Sequence, residues 1–106
     1  MIRVSALYPK TAESQFNMEY YLTKHVPMVK ARLQDVGLRD IQIDEGLGSG
    51  APDQPPPFAV IGFMIFDKVE DLQQGLAIHG AEIMGDIPNF TNVQPQIQIS
   101  RIAHEV

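Results

Sequence analysis

The order of hydrophobic and polar residues predicts four β-strands along this chain. Residues 2–8 and 40–47 alternate between the two kinds of side chain, which is the period of a strand with one buried face. Residues 58–66 are apolar throughout, which is typical of a central strand that is covered on both faces. Residues 93–100 alternate again, and Pro95, which has no backbone N–H to donate, places this strand at an edge of the sheet.

Two amphipathic helices are predicted between the strands. The first follows Asn17, whose side chain can cap it, and is expected to end at Gly37. Its inner stripe is formed by residues three or four positions apart: Met18, Leu22, His25, Val29, Leu33 and Val36. Pro27 lies inside this helix, where it lacks a donor and clashes with the preceding turn, so we expect a kink around His25.

The second helix is predicted to begin at a capping box made by Asp67 and Glu70. Its inner stripe is expected to contain Val69, Leu72, Leu76 and either His79 or Ile83. Gly80 and Gly85 are expected to divide this stretch into a helix and a short irregular piece that ends at Pro88.

The order strand, helix, strand, strand, helix, strand predicts an α+β protein with the ferredoxin-like βαββαβ topology. Right-handed crossovers then place both helices on one face of a four-stranded antiparallel sheet. A length of 106 residues suits a single domain spanning residues 1–106, and the Gly- and Pro-rich residues 46–57 suit a loop within it. Because the third strand is apolar on both faces, we expect a homodimer in which a second copy covers the open face, giving a dimeric α+β barrel.

Composition narrows the classes of function. The net charge is -5, so the chain lacks the basic surface that nucleic-acid binding requires. Its longest apolar stretch, residues 58–66, is too short to cross a membrane, and no signal peptide is visible at the start. There are no cysteines, which excludes disulfides and thiol chemistry. Together these features predict a cytoplasmic protein.

His25 is the first candidate for chemistry, because it lies in the apolar stripe of a helix that Pro27 disturbs. A histidine there can serve as a general acid–base or a ligand-orienting group in a pocket between helix and sheet. It can equally be a core histidine whose two nitrogens are bonded within the protein. The side chains expected to line the pocket with it are Tyr21, Tyr8, Met28 and Phe63, although tyrosine, methionine and phenylalanine at such positions also serve as packing groups.

No metal site and no cofactor are expected. His25, His79 and His104 are far apart and none belongs to a metal-binding pair. The glycines at 46, 48 and 50 do not form a dinucleotide-binding motif. A haem held by His25 alone is disfavoured, since no basic rim for its propionates is apparent in the sequence.

Two segments resemble a known family. The run FNMEYYLTKHVP, residues 16–27, resembles the first-helix signature of the EthD-like proteins, and DIPNFT, residues 86–91, resembles their segment before the last strand. The resemblance covers essentially the whole chain. It implies a dimeric α+β barrel, a fold shared by cofactor-free oxygenases and muconolactone-type isomerases. Some of these relatives use a histidine at the position that matches His25. Asp86 and Asn89, which otherwise suit turn geometry, gain interest only from it.

The namesake of this family is associated with degradation of ethyl tert-butyl ether. The resemblance therefore implies a protein that binds or acts on a small apolar oxygen-bearing compound in a degradative or biosynthetic pathway, with His25 moving or holding a proton. A carrier of a hydrophobic intermediate, and a monooxygenase-like or isomerase-like enzyme, are the alternatives. A structural dimer with a filled pocket is the third class, and whether the chain is an enzyme stays open here.

Overall fold

The computed structural model describes residues 1–105, so Val106, the last residue of the predicted domain, lies outside the described residues. The four strands are β1 (Ile2–Pro9), β2 (Leu38–Glu45), β3 (Phe58–Phe66) and β4 (Gln96–Arg101). They form one antiparallel sheet in the order β2-β3-β1-β4. This order, with a helix after β1 and another after β3, confirms the predicted ferredoxin-like topology, including the central position of β3.

The first helix is a continuous rod made of three parts. These are α1 (Met18–Tyr20), a π-helical turn (Tyr21–His25) and α2 (Val26–Leu33). The side chain of Asn17 accepts a hydrogen bond from the backbone of Tyr20 at 3.0 Å, as predicted for the cap. A short 3-10 turn (Gln34–Val36) follows, and Gly37 then ends the rod with a φ of 100°, the left-handed conformation that glycine adopts without strain.

The π-helical turn changes which residues face the core. The backbone N–H of Val26 donates to the carbonyl of Tyr21, five residues earlier, so this turn is wider than an α-helical one. Tyr21 and His25 are buried, whereas Leu22, which was predicted for the inner stripe, is 47 % exposed. The prediction for Leu22 was wrong because it assumed a regular α-helical period. At the place where a kink was expected, the structure has this π-helical turn.

The second helix, α3 (Val69–Gly85), starts and ends differently from the prediction. Lys68, and not Asp67, is its N-cap, and the lysine side chain has no acceptor with which to cap the helix. The carboxylate of Asp67 is bound by Arg39. Gly80 does not interrupt the helix, which continues to Gly85. Of the two residues proposed for the end of its inner stripe, Ile83 is the buried one.

Two strands are shorter than their patterns suggested. Leu47 was assigned to the inner face of the second strand, but β2 ends at Glu45 and Leu47 is 94 % exposed in the loop. Val93 and Pro95 precede β4, which begins at Gln96. The edge position that Pro95 indicated is nevertheless correct, since β4 pairs only with β1.

The core between helices and sheet has two parts. The aliphatic cluster is built mainly from branched side chains: Val4, Val29, Leu33, Phe66, Leu72 and Ile83. The aromatic cluster gathers Tyr8, Tyr21, Val60, Ile87 and Phe90. Within residues 1–105 no helix covers the opposite, outer face of the sheet. This face carries Arg3, whose guanidinium lies 5.4 Å from the ring of Phe63.

Candidate functional site

A cavity of about 350 Å³ lies between the sheet and the two helices, next to the aromatic cluster. Its wall is almost entirely aliphatic and aromatic, with contributions from both helices and all four strand regions of the sheet. Three side chains bring polar atoms to this wall: His25, Tyr21 and Tyr8. A mainly apolar cavity with a few convergent polar groups is the usual form of a small-molecule site.

His25 lies at the end of the π-helical turn and is only 5 % exposed. Its Nδ1 is 2.9 Å from the Oδ2 atom of Asp86. Its ring stacks on that of Tyr21 with 5.5 Å between centroids, and the ring of Phe90 packs at 4.6 Å. Among residues 1–105 no hydrogen-bond partner is found for Nε2, the other ring nitrogen. The imidazole is therefore fixed through Nδ1 while it borders the cavity.

Asp86 is the partner of His25, and its sequence pattern by itself suited only a turn. Its carboxylate accepts hydrogen bonds from the Tyr20 hydroxyl at 2.7 Å and the Asn89 amide at 2.9 Å, besides the contact with His25. Burial raises the pKa of this carboxyl, but the bonds from Asn89, Tyr20 and His25 outweigh burial and hold the pKa below its ordinary value. The carboxylate is therefore ionised near neutral pH. The DIPNFT resemblance was the only sequence signal for it.

An ionised carboxylate can only accept hydrogen bonds, which determines the tautomer of a neutral His25. When the imidazole is neutral, Nδ1 must carry the proton that it donates to Asp86. The lone pair then resides on Nε2. The pair can thus offer a proton acceptor to the cavity and stabilise the imidazolium that forms once a proton is taken up.

Tyr21 and Tyr8 lie side by side in the aromatic cluster, with 5.9 Å between ring centroids. Burial raises the pKa of Tyr21 to about 12. Burial, followed by the neighbouring Tyr21, raises the pKa of Tyr8 well above its ordinary value. Both phenols stay protonated at neutral pH, so they cannot act as bases. Their hydroxyls are hydrogen-bonded to each other, which leaves one of the two protons for a ligand oxygen.

Gly62 on β3 makes room for the Tyr21 hydroxyl. A Cβ atom at this position would lie 2.5 Å from that oxygen, which is closer than real contacts allow. The sequence pattern placed Gly62 in an apolar strand and predicted no further role for it. A glycine inside a buried strand is a signal for close approach by another group, and here that group is the tyrosine.

The remaining two predicted side chains do not project into the cavity. Phe63 borders it, but neighbouring residues of a strand point to opposite faces, so its ring lies on the outer face beside Arg3. Met28 packs against the aliphatic cluster and lines a separate open groove between the first helix and the C-terminal end of α3. The structure therefore brings together His25, Tyr21 and Tyr8 but neither Met28 nor the ring of Phe63.

Two wider features bear on the class of site. Among residues 1–105, no cluster of three or more histidine, cysteine or acidic side chains is placed to hold a metal ion. Within the same residues, no helix has both the length and the apolar character needed to cross a bilayer.

Comparison with solved structures identifies the class of fold first. A dimeric ferredoxin-like protein from an uncultured marine organism has a TM-score of 0.63 at 14 % identity, and the match covers 100 % of this chain and 98 % of that one. An EthD family protein from Bacillus halodurans C-125, whose name refers to ethyl tert-butyl ether, has a TM-score of 0.66 at 23 % identity over 95 % of this chain and 97 % of that one. Both likenesses show the ferredoxin-like α+β fold.

A nearer relative shows the family. An EthD-like protein from Ralstonia eutropha JMP134 is 38 % identical, with a TM-score of 0.92, over 99 % of this chain and 94 % of that one. The chain therefore belongs to the EthD-like family, as the two sequence segments indicated. No family model matches the chain, and no curated protein does so either.

Proposed function

We propose that this EthD-like protein binds a small, mainly apolar, oxygen-bearing molecule in the cavity and that His25 accepts a proton from it or orients it. The observation that carries the proposal is the setting of His25. Its Nδ1 is 2.9 Å from a carboxylate while its ring borders an apolar cavity of about 350 Å³. A histidine that served only packing would have both ring nitrogens bonded within the protein, whereas Nε2 of His25 has no such partner among residues 1–105 and the ring borders the cavity.

The roles of the polar groups follow from their protonation. His25 is the base, because Tyr21 and Tyr8 keep their protons at neutral pH. Tyr21 is the hydrogen-bond donor for a ligand oxygen. A donor beside an acceptor suits removal of a proton from a carbon next to a carbonyl: the proton passes to Nε2 of His25, and the electron pair moves to the carbonyl oxygen, to which Tyr21 donates. Isomerisation, dehydration and cofactor-free oxygenation can each begin with such a step.

The ligand class rests on the wall of the cavity and on the family. Apart from the three polar side chains, the wall offers aliphatic and aromatic surface, which favours ligands with few polar atoms. The name of the Bacillus halodurans relative refers to an ether, and an ether or a product of ether degradation has this character. We therefore propose a degradative or biosynthetic pathway for such compounds as the setting.

Thermal unfolding with small phenols, lactones and ethers tests this proposal. We expect at least one class of compound to raise the Tm of the wild type, and His25→Gln to reduce both that shift and any turnover. His104→Gln, which changes an exposed histidine, is the matched control and should behave as wild type. A ligand shift that His25→Gln leaves intact, with no product from the wild type, indicates a carrier. No shift with any compound contradicts the ligand site.

We also propose a homodimer formed through the outer face of the sheet. Ile61, Phe63 and Ile65 lie there on β3, and the Nε atom of Arg3 is buried without a hydrogen-bond partner among residues 1–105. A buried N–H without an acceptor is costly, and a second copy packed on this face would cover its apolar side chains and could bring acceptors to the guanidinium. The marine ferredoxin-like relative is itself described as dimeric.

Light scattering after size-exclusion chromatography tests the dimer. Phe63→Glu should shift the mass from two chains towards one, because it buries a charge in the interface. Leu47→Glu, in the exposed loop, is the control and should leave the mass unchanged. A wild type that elutes as a monomer, or a Phe63→Glu variant that remains a dimer, contradicts this interface.

A further inference from the structure

The carboxylate of Asp86 lies between two environments. Oδ2 accepts from His25, whereas Oδ1 accepts from Tyr20 and Asn89, which line an open groove between the first helix and the C-terminal end of α3. The groove has a volume of about 370 Å³, and Tyr20, Asn89 and Asp86 all line it. None of the three lines the cavity. The two oxygens of one side chain therefore link the cavity histidine to groups outside the cavity.

We infer that Tyr20 and Asn89 are positioning residues for His25, which they control through Asp86. Both donate to the same oxygen of the carboxylate, at 2.7 and 2.9 Å, and so fix the direction in which the other oxygen points. That second oxygen selects the Nδ1–H tautomer of His25. The inference rests on the proposed function, in that the tautomer matters because it leaves the Nε2 lone pair for a ligand.

The physical reason is the freedom that Asp86 would have without its outer donors. Its side chain is 17 % exposed, so it can reach water in the groove by a rotation of the carboxylate. Two hydrogen bonds of this kind oppose that rotation, and bonds to an ionised group are stronger than neutral ones. Once the carboxylate turns to water, Nδ1 loses its acceptor and the preference for one tautomer is lost.

Two other charged side chains lie near the carboxylate of Asp86. Lys24 and Glu82 line the same groove, and Glu82 is paired with Arg32 at 2.8 Å. Neither Lys24 nor Glu82 makes a hydrogen bond to Asp86 in the part of the chain that the structure describes. On its inner side, His25 meets Asp86, Tyr21 and Phe90, and Tyr21 keeps its proton in the neutral range.

The test is ¹⁵N NMR of the imidazole nitrogens in the ligand-free protein, which reports the tautomer directly. The wild type should show His25 with its proton on Nδ1. In the double variant Tyr20→Phe with Asn89→Ala, the Nδ1–H form should lose its majority and the Nε2–H form should appear. Tyr20→Phe keeps the ring that stacks on Phe90. Each single variant should give an intermediate population of the two tautomers, so the test does not depend on one variant alone.

The matched control is Glu82→Gln, which changes the charge of the groove without removing a bond to Asp86. It should leave the tautomer of His25 as in the wild type. A folded double variant that keeps the proton on Nδ1 overturns the inference, and so does a wild type with the proton on Nε2. Because no ligand is present, failure of this test is separate from failure of ligand binding in the cavity.

Discussion

The two halves of the core solve different problems with the same two helices. The aliphatic cluster contains Leu33 and Phe66, both 0 % exposed, and has no polar atom on its side chains. The aromatic cluster contains two phenols and adjoins His25 and an unfilled cavity. Packing alone favours the first arrangement, since unfilled volume and buried polar groups both cost stability. The aliphatic cluster also borders the cavity through Val4, Val29 and Ile83, but the polar groups of the candidate site lie in or beside the aromatic cluster. We therefore expect the aliphatic half to contribute more to stability.

Truncation in the aliphatic cluster should have the largest effect on stability. Leu33→Ala removes a fully buried side chain that closely approaches α3 at Gly75, so we expect a loss of about 2–5 kcal/mol in the free energy of unfolding. Denaturant unfolding measures it, and Leu47→Ala, at a position 94 % exposed, is the control. A loss well under about 1 kcal/mol would contradict the assignment of stability to this half.

A smaller loss of stability, which a second substitution should partly restore, is expected at the border of the aromatic cluster. Gly62→Ala places a methyl group against the Tyr21 hydroxyl, and we expect a cost of about 1–3 kcal/mol. Tyr21→Phe removes that oxygen and should recover part of the loss, which a double-mutant cycle of unfolding free energies would detect. Strict additivity of the two substitutions would show that the close contact is not the cause.

The smallest effect is a change in the acid dependence of stability. The pKa of Asp86 is lowered in the folded state, so its contribution is present above the pKa of the unfolded chain and is lost as pH falls through the folded pKa. In Asp86→Asn the Tm should therefore fall less steeply than in the wild type as the pH is lowered from the unfolded pKa to the folded pKa of this carboxyl. Asp44→Asn, on the exposed side of β2, controls for loss of a charge. Equal acid dependence in wild type and Asp86→Asn would contradict the ionised state of the carboxylate.

Sequence patterns predicted the sheet well because strand periodicity is local. The limits of β3 were predicted to the residue, and the order of all elements was predicted from crossovers and edge signals. His25 and Tyr21 were both predicted for the pocket from positions on the first helix, and both border the cavity. The errors arose where a tertiary contact overrides a local preference, as when Arg39 takes the carboxylate of Asp67 that a capping box would use.

The candidate site was harder to predict because its parts are distant in sequence. Asp86 and His25 are 61 positions apart in the sequence, and the residues around Asp86 do not by themselves predict a histidine partner. The cavity itself is a property of how two helices lie on a sheet, which periodicity does not encode. Met28 illustrates this limit. It follows His25 by one turn of the predicted helix, yet its side chain lines a different groove.

The π-helical turn makes the site depend on the number of residues as well as on their identity. Its bond from Val26 to Tyr21 accommodates one residue more than an α-helical turn would hold. Loss of a single residue between Tyr21 and Val26 would let the rod become regular and rotate its two ends relative to each other. The side chains before and after the turn could then not face the core together. We expect relatives of this chain to tolerate substitutions here far better than deletions.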